Sequence, residues 1–320
     1  MKIKIIFLAI FISAYCFGQE NKVYKIIMTT PGKILNYINY NALEEVTELT
    51  ISGVINKTDI DAIKRMSNLK LLNITNTTIQ YNKEALNKEI ANYNFGYQIA
   101  INMYADSWNQ LSTQKKQKIK NKLNLEIANV TKLYKSGGML DDGLFKDFFS
   151  LESLYLPKTI QVIGDRAFSN CTGLHKIILP ANLTSIGVEA FKNCSNLIVI
   201  NLPAKISKIG SRAFQNCSKL EKVVLPSYLK TIESKLFYAC DNLNEITVFG
   251  VNEIYSSFIC GCKSLKIINC LAKTPPKYNN YEEYDDNCPS RNDIIFYFPK
   301  ESVTAYVGSI WADTFTIKTK

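Results

Sequence analysis

Nine cysteines and a single histidine are the residues best able to do chemistry in this 320-residue chain. His175 follows Cys171 closely enough to suggest a nucleophilic pair, which would need Cys171 as a thiolate. Cys260 and Cys262 form a C-x-C, but zinc asks for a second matching pair and the sequence offers none. Glu282, Glu283, Asp285 and Asp286 make an acidic run without the glycine and spacing of a calcium loop, and read as solvated loop. No glycine-rich phosphate loop and no G-x-S-x-G occurs. The residues therefore point to a non-catalytic chain, with no metal site and no cofactor.

The cysteines say more as a pattern. Cys171, Cys194, Cys217 and Cys240 fall 23 residues apart, and Cys262 comes one residue early. Leu151, Leu174, Leu197, Leu220 and Leu243 keep the same step of 23. A fixed period in this range marks stacked repeats. The expected fold is an α/β-type repeat solenoid with a 23-residue period, a helical insertion and terminal caps.

Each repeat opens L-x-x-I-x-L-P. In a strand, Ile177 and Leu179 point one way and Lys176 and Ile178 the other. Pro157, Pro180, Pro203 and Pro226 then end the strands, because proline has no N–H for a ladder. A second apolar pair follows, such as Leu183 and Ile186. Gly164, Gly187 and Gly210 come next, where the turn is expected to need a positive φ. Stacking would place Phe168, Phe191, Phe214, Phe237 and Phe258 in a buried column, with Phe145 ahead of them. Deleting one such ring should cost about 3–5 kcal/mol. Cys171, Cys194, Cys217, Cys240 and Cys262 would form a second column of small buried hydrophobes, with Phe148 taking its first place. A buried apolar column favours the neutral thiol, which argues against a Cys171–His175 pair. His175 itself sits where other repeats carry Glu152, Ile198, Glu221, Asn244 and Lys266, a variable surface position. Off the ladder, Cys270 and Cys288 are candidates for a disulfide pinning the last loop.

The L-x-x-I-x-L-P openings and I-G-x-x-A-F-x-x-C closings resemble the BspA-like leucine-rich repeat family of bacterial and protist surface proteins. The resemblance is strong from about Phe145 to Leu265. It weakens in the fourth line, with Glu233 for Gly and Leu236 for Ala, and further in the fifth. PGKI, LTISGVINKTDI and MSNLKLLNITNTTI resemble N-terminal segments of such proteins from Bacteroidetes, and FYFPKESVTAY with the Trp and Phe beyond it resembles their C-terminal cap. The resemblance implies adhesion to proteins of a host or neighbouring cell.

Residues 1–18 read as a signal peptide: Lys2 and Lys4, an apolar Ile5–Ile12, then small residues to Gly18. The apolar run is too short to span a membrane. Lipidation at Cys16 competes, with Tyr15 a poor neighbour for it. Removing Lys2 and Lys4 from the 38 basic residues leaves 36 against 28 acidic, a net +8. An exported chain rarely meets nucleic acid, so this charge suits acidic polymers or anionic cell surfaces.

Residues 19–80 read as an N-terminal cap with two divergent repeats. A lead-in helix carries Ile34, Leu35 and Ile38, and strands begin at Val46 and Leu69, again 23 apart. Thr58 or Asp59 is positioned to cap a short helix bearing Ile60 and Ile63. Residues 81–138 read as a helical insertion, two helices within Asn82–Lys135. Its run of Lys115, Lys116, Lys118, Lys120 and Lys122 reads as a solvated face, or as a patch for an acidic partner. Residues 139–271 carry the main repeats. Residues 272–320 hold a Tyr-rich loop, a strand at Ile294 and a helix packing through Val303, Tyr306, Ile310 and Trp311. This cap should cover the Phe column and block end-to-end stacking.

The outward faces of the strands remain as the candidate binding surface. One column reads Ser153, Lys176, Val199, Lys222, Glu245, Ile267; its neighbour reads Tyr155, Ile178, Asn201, Val224, Thr247, Asn269. Tyr155, Ile178, Val199 and Val224 would make an apolar strip, a contact site unless these residues only suit strands. The first functional reading is an exported protein that binds an extracellular or cell-surface protein. The second is a surface or periplasmic glycan-binding accessory, using Tyr155 or the loop tyrosines Tyr278, Tyr281 and Tyr284.

Overall fold

In a computed structural model, the structure describes residues 22–38, 40–80, 82–103, 109–279, 288 and 293–320. The signal segment with Cys16, the loop residues Tyr281 and Tyr284, and the acidic run lie outside these residues.

Parallel ladders dominate. Strands β1 (Lys22–Met28), β2 (Val46–Ile55) and β3 (Leu71–Ile79) run into Ser153–Tyr155 and Lys176–Ile178. A second ladder joins Lys222–Val224, Glu245–Val248, Ile267–Cys270, Ile295–Phe298 and Thr316–Thr319. A single bridge, Val199 to Lys222, extends the second ladder toward the first. On the opposite side of each repeat, two-residue strands such as Val162–Ile163 and Ser185–Ile186 pair in the same parallel sense. Equivalent residues meet across the repeats: Ser153 faces Lys176, and Tyr155 faces Ile178. The inward apolar positions form one continuous core, with Leu154, Ile177, Ile200, Val223 and Ile246 all buried.

Phe145, Phe168, Phe191, Phe214 and Phe237 stack with centroids 5.0–5.6 Å apart. Phe258 does not continue the column. The Phe214 amide donates to Leu236, and the Phe237 amide donates to Phe258. Phe258 thus holds the Leu236 position and Ile259 the Phe position. The missing residue of the fifth repeat falls before Phe258, so the aromatic arrives one place early in the turn.

The glycines also work differently from expectation. Gly164, Gly187 and Gly210 do not have positive φ. A Cβ on Gly187 would lie 2.6 Å from the Asp165 nitrogen, and one on Gly210 2.6 Å from the Val188 nitrogen. Close approach of neighbouring backbones, not turn conformation, demands glycine there. Outside glycine, the positive φ values fall on Asp147, Arg166, Asn170, Glu189, Asn193, Arg212, Asn216, Lys235 and Ala239.

At the N-terminal end, the lead-in is strand β1 followed by two 3-10 segments, Ile34–Asn36 and Tyr40–Glu45, in place of a helix. Ile34 and Ile38 are buried, while Leu35 is exposed. Helix α1 (Lys57–Ile63) is capped by Asn56, whose side chain accepts from the Asp59 amide. Asp59 completes a capping box from the third helical position. Thr58 and Asp59 are therefore inside the helix, not its cap. Ile60 and Ile63 are buried as the spacing requires.

Helices α2 (Lys83–Met103) and α3 (Thr113–Lys135) pack on each other. Ser112 caps α3 by accepting from the Lys115 amide. Lys115, Lys118, Lys120 and Lys122 are exposed and Lys116 is half-buried.

At the C-terminal end, Tyr306 and Trp311 are buried, but Val303 and Ile310 are exposed. The helical stretch breaks at Gly308 into two five-residue helices, Val303–Val307 and Ile310–Thr314, which turns those two side chains outward. Trp311 stacks on Phe296 at 4.8 Å and donates its indole N–H to the Pro276 carbonyl. The terminal strand Thr316–Thr319 follows and pairs in parallel with Ile295–Phe298.

Cys288 pairs with Cys260, not Cys270. Cys270 is buried against the Tyr306 hydroxyl, 3.4 Å away, and remains a thiol. Among the described residues no helix is long and apolar enough to cross a membrane.

Candidate binding surface

Parallel pairing sets Ser153 beside Lys176 and Tyr155 beside Ile178, while Val199 joins by a lone bridge to Lys222 and Asn201 lies outside any strand. Ile178, Val199 and Val224 are 45, 54 and 57% exposed, high values for aliphatic side chains within or beside a ladder. Lys176, Asn201 and Lys222 are also exposed, and Tyr155, Glu245 and Thr247 are half-buried. Parallel pairing sets Val224 beside Thr247 and Lys222 beside Glu245. Val199 lies beside Lys222, and Ile178 beside Tyr155. Val199 and Val224 thus each have a polar neighbour, Lys222 and Thr247. Asn269 closes its column as a buried residue, donating to Glu245 at 2.8 Å.

Charges along this face are largely paired. The Lys176 ammonium lies 5.7 Å from the Tyr155 ring centroid. Lys222 meets Glu245 at 3.0 Å, and its hydrogen bond, ahead of other influences, holds that carboxyl below its ordinary pKa. Lys70 reaches Glu152 at 3.2 Å. Such exposed pairs contribute about 0–1 kcal/mol each, so they orient side chains more than they stabilise the fold.

The cysteine–histidine idea fails on protonation and burial. Cys171 is fully buried, and desolvation pushes its thiol up to about 12. Its Sγ donates to the Phe145 carbonyl at 3.1 Å, which uses the proton a nucleophile would have to lose. His175 is exposed. Among the described residues, no group of three or more His, Cys, Asp or Glu could hold a metal ion. Tyr278, considered for glycan stacking, instead packs edge-on against Trp311 at 4.9 Å and belongs to the packing of the last turns.

One ladder escaped the sequence reading. Asn170 donates to Asp147, Asn193 to Asn170 and Asn216 to Asn193, each across 2.7 Å. All four residues have φ between 59° and 64°. Asparagine and aspartate tolerate this conformation best after glycine. The signal was present as S-N-C, K-N-C and Q-N-C, an Asn before each of three ladder cysteines.

No curated protein matches the chain. Three crystal structures are similar to it. A leucine-rich repeat protein of T. pallidum is 30% identical with a TM-score of 0.41, over 44% of this chain and 66% of that one. A leucine-rich cell surface protein of Faecalibacterium prausnitzii is 19% identical with a TM-score of 0.37, over 52% and 60%. A leucine-rich repeat protein of Bacteroides ovatus is 22% identical with a TM-score of 0.34, over 57% and 55%. This chain therefore spans about two thirds of their lengths or less. The model of the BspA type leucine-rich repeat region matches six copies over residues 139–266, the span of the phenylalanine and cysteine columns. Residues 139–266 are thus a BspA type leucine-rich repeat region.

Proposed function

We propose that the chain is an exported, non-catalytic solenoid with terminal caps that holds another protein on its sheet face. The carrying observation is the exposure of Ile178, Val199 and Val224 on a rigid ladder, set among Lys176, Lys222 and Asn201. Repeat proteins use extended faces of this kind for binding, and leucine-rich repeats are suited to protein partners. Apolar side chains ringed by polar ones match the make-up of a protein contact. On this reading residues 1–18 direct export, residues 19–80 and 272–320 close the two ends, and the partner is an extracellular or cell-surface protein met during adhesion.

The test compares mature protein with a variant carrying Ile178→Glu and Val224→Glu as baits for extracellular and cell-surface protein extracts. Both side chains lie outside the core, so the variant folds. A partner held by the first bait and lost by the second supports the sheet face. Capture of the same partner by both removes the sheet from consideration. Glycan binding is the second reading, and a different surface favours it.

A further inference from the structure

A trench of about 460 Å³ runs beside the strand openings, apart from the sheet columns. Its volume falls in the ~300–1,000 Å³ range of small-ligand sites. Only two of its side chains are large and apolar, Phe149 and Ile198, and they are 60 and 42% exposed. The rest of the lining is polar, including Glu152, His175, Asn196 and Lys219. Gly173 shapes the trench. Later repeats place Asn196 and Lys219 at that position, but a Cβ on Gly173 would run into the Phe149 carbonyl. The bare glycine lets the Phe149 segment lie close, and so presents the ring at the trench.

We propose that this trench binds an acidic oligosaccharide, one whose sugar rings carry carboxylates. A pyranose offers a C–H face to an exposed aromatic ring and hydroxyls around its edge. Phe149 supplies the ring, and the Asn196 amide and Glu152 carboxylate supply donors and acceptors for hydroxyls. The charge selects the acid. Glu152 is matched by Lys70 at 3.2 Å, and among the described residues no ion pair engages Lys219. One ammonium is then left for a ligand carboxylate. A protein anchor would call for a larger desolvated apolar pocket than Phe149 and Ile198 provide. This site is independent of the sheet-face reading.

His175 is the only histidine, so its ring signals report on the trench without assignment of the whole spectrum. Mature protein is titrated with trigalacturonate and, separately, with neutral maltotriose, following the His175 ring resonances by NMR. Trigalacturonate moves them saturably, and maltotriose binds at least fivefold more weakly. Phe149→Ala and Lys219→Glu each weaken trigalacturonate at least tenfold, while Val224→Glu on the sheet leaves it unchanged. If Phe149→Ala lowers the melting temperature, Lys219→Glu carries the same reading. No saturable shift, a shift indifferent to both trench variants, or equal affinity for maltotriose overturns the proposal. So does a protein partner lost with Phe149→Ala in the absence of any trigalacturonate response.

Discussion

The Cys217 thiol donates to the Phe191 carbonyl across 3.2 Å, 26 residues back in the chain. The same bond joins Cys171 to Phe145, Cys194 to Phe168, Cys240 to Phe214 and Cys262 to Phe237, all at 3.1–3.2 Å. Each thiol therefore adds a bond to a carbonyl of the preceding repeat, and couples the cysteine column to the phenylalanine column. Burial, aided by the charge a neighbouring thiolate would carry, pushes the thiols of Cys194, Cys217 and Cys240 well above their ordinary value.

Two outcomes are expected from the Cys217 bond. Cys217→Ala removes one of two donors to the Phe191 carbonyl, which keeps the Cys194 amide at 3.1 Å, and should cost about 0.5–1.5 kcal/mol in a urea melt. At pH 8 the five ladder thiols should resist a thiol reagent in native protein and react together once it unfolds. Modification of any ladder cysteine before unfolding would contradict the burial that sets their protonation.

Gly187 and Gly250 separate two reasons for glycine. A Cβ on Gly187 meets backbone at 2.6 Å, while one on Gly250 meets nothing within 4 Å. Neither has positive φ. Gly187→Ala should cost about 3 kcal/mol through forced separation of the Gly164–Asp165 and Gly187 backbones. Gly250→Ala should be neutral or slightly stabilising, since alanine narrows the unfolded ensemble. Thermal melts of the two variants decide it, and a similar loss in both would place the cause in local conformation.

Much of this was legible because the period of 23 fixes which residues are equivalent, and burial then repeats with them. Phe168, Phe191 and Cys194 could be placed from spacing alone. Phe258 could not, because a one-residue deletion has to be located within the repeat, and an aromatic beside Ile259 suggests the wrong place. Val303 and Ile310 failed for a related reason: helical spacing assumes an unbroken helix, and Gly308 interrupts it. The partner of Cys288 is not legible in the sequence, because nothing in its spacing separates Cys260 from Cys270. The sheet columns were readable as positions, but the trench was not. It depends on Gly173 and Phe149, from adjacent repeats, meeting at the backbone level.

Asp141 gives the chain a pH response near neutrality. Burial first, and Asp142 next, raise its carboxyl from 3.8 to about 6, with Lys57 opposing. A carboxyl raised in the folded state favours folding when protonated. That contribution is complete below about pH 3.8 and is lost as pH rises through about 6. The shift would be worth ~3 kcal/mol if fully buried, and partial exposure reduces it to roughly 1–2 kcal/mol. Asp141→Asn should therefore melt about 2–6 °C higher than the parent at pH 7.5. The gap should close at pH 4. An equal gap at both values would assign the effect to packing.

Asp59 is the residue on which the N-terminal end most depends. Its carboxylate is fully buried and accepts from three backbone amides: Gly32 at 2.6 Å, Ile34 at 3.0 Å and Asn56 at 3.0 Å. Two of these lie in the turn after β1, so one side chain fastens the first strand's exit to the start of α1. Asp59→Ala strands all three donors, and Asp59→Asn turns an amide N–H toward some of them. Each should cost about 2–4 kcal/mol, because bonds to a charged acceptor are the stronger kind. The exposed neighbour Asp61, paired with Lys57 at 2.7 Å, is the control, and Asp61→Asn should change stability by less than about 0.5 kcal/mol. Hydrogen exchange locates the damage. Amides of β1 and of the Ile34–Asn36 turn should exchange faster in Asp59→Ala, while those of the phenylalanine column keep their protection. Uniform loss across both regions would mean that Asp59 supports the whole ladder and not only its first turn.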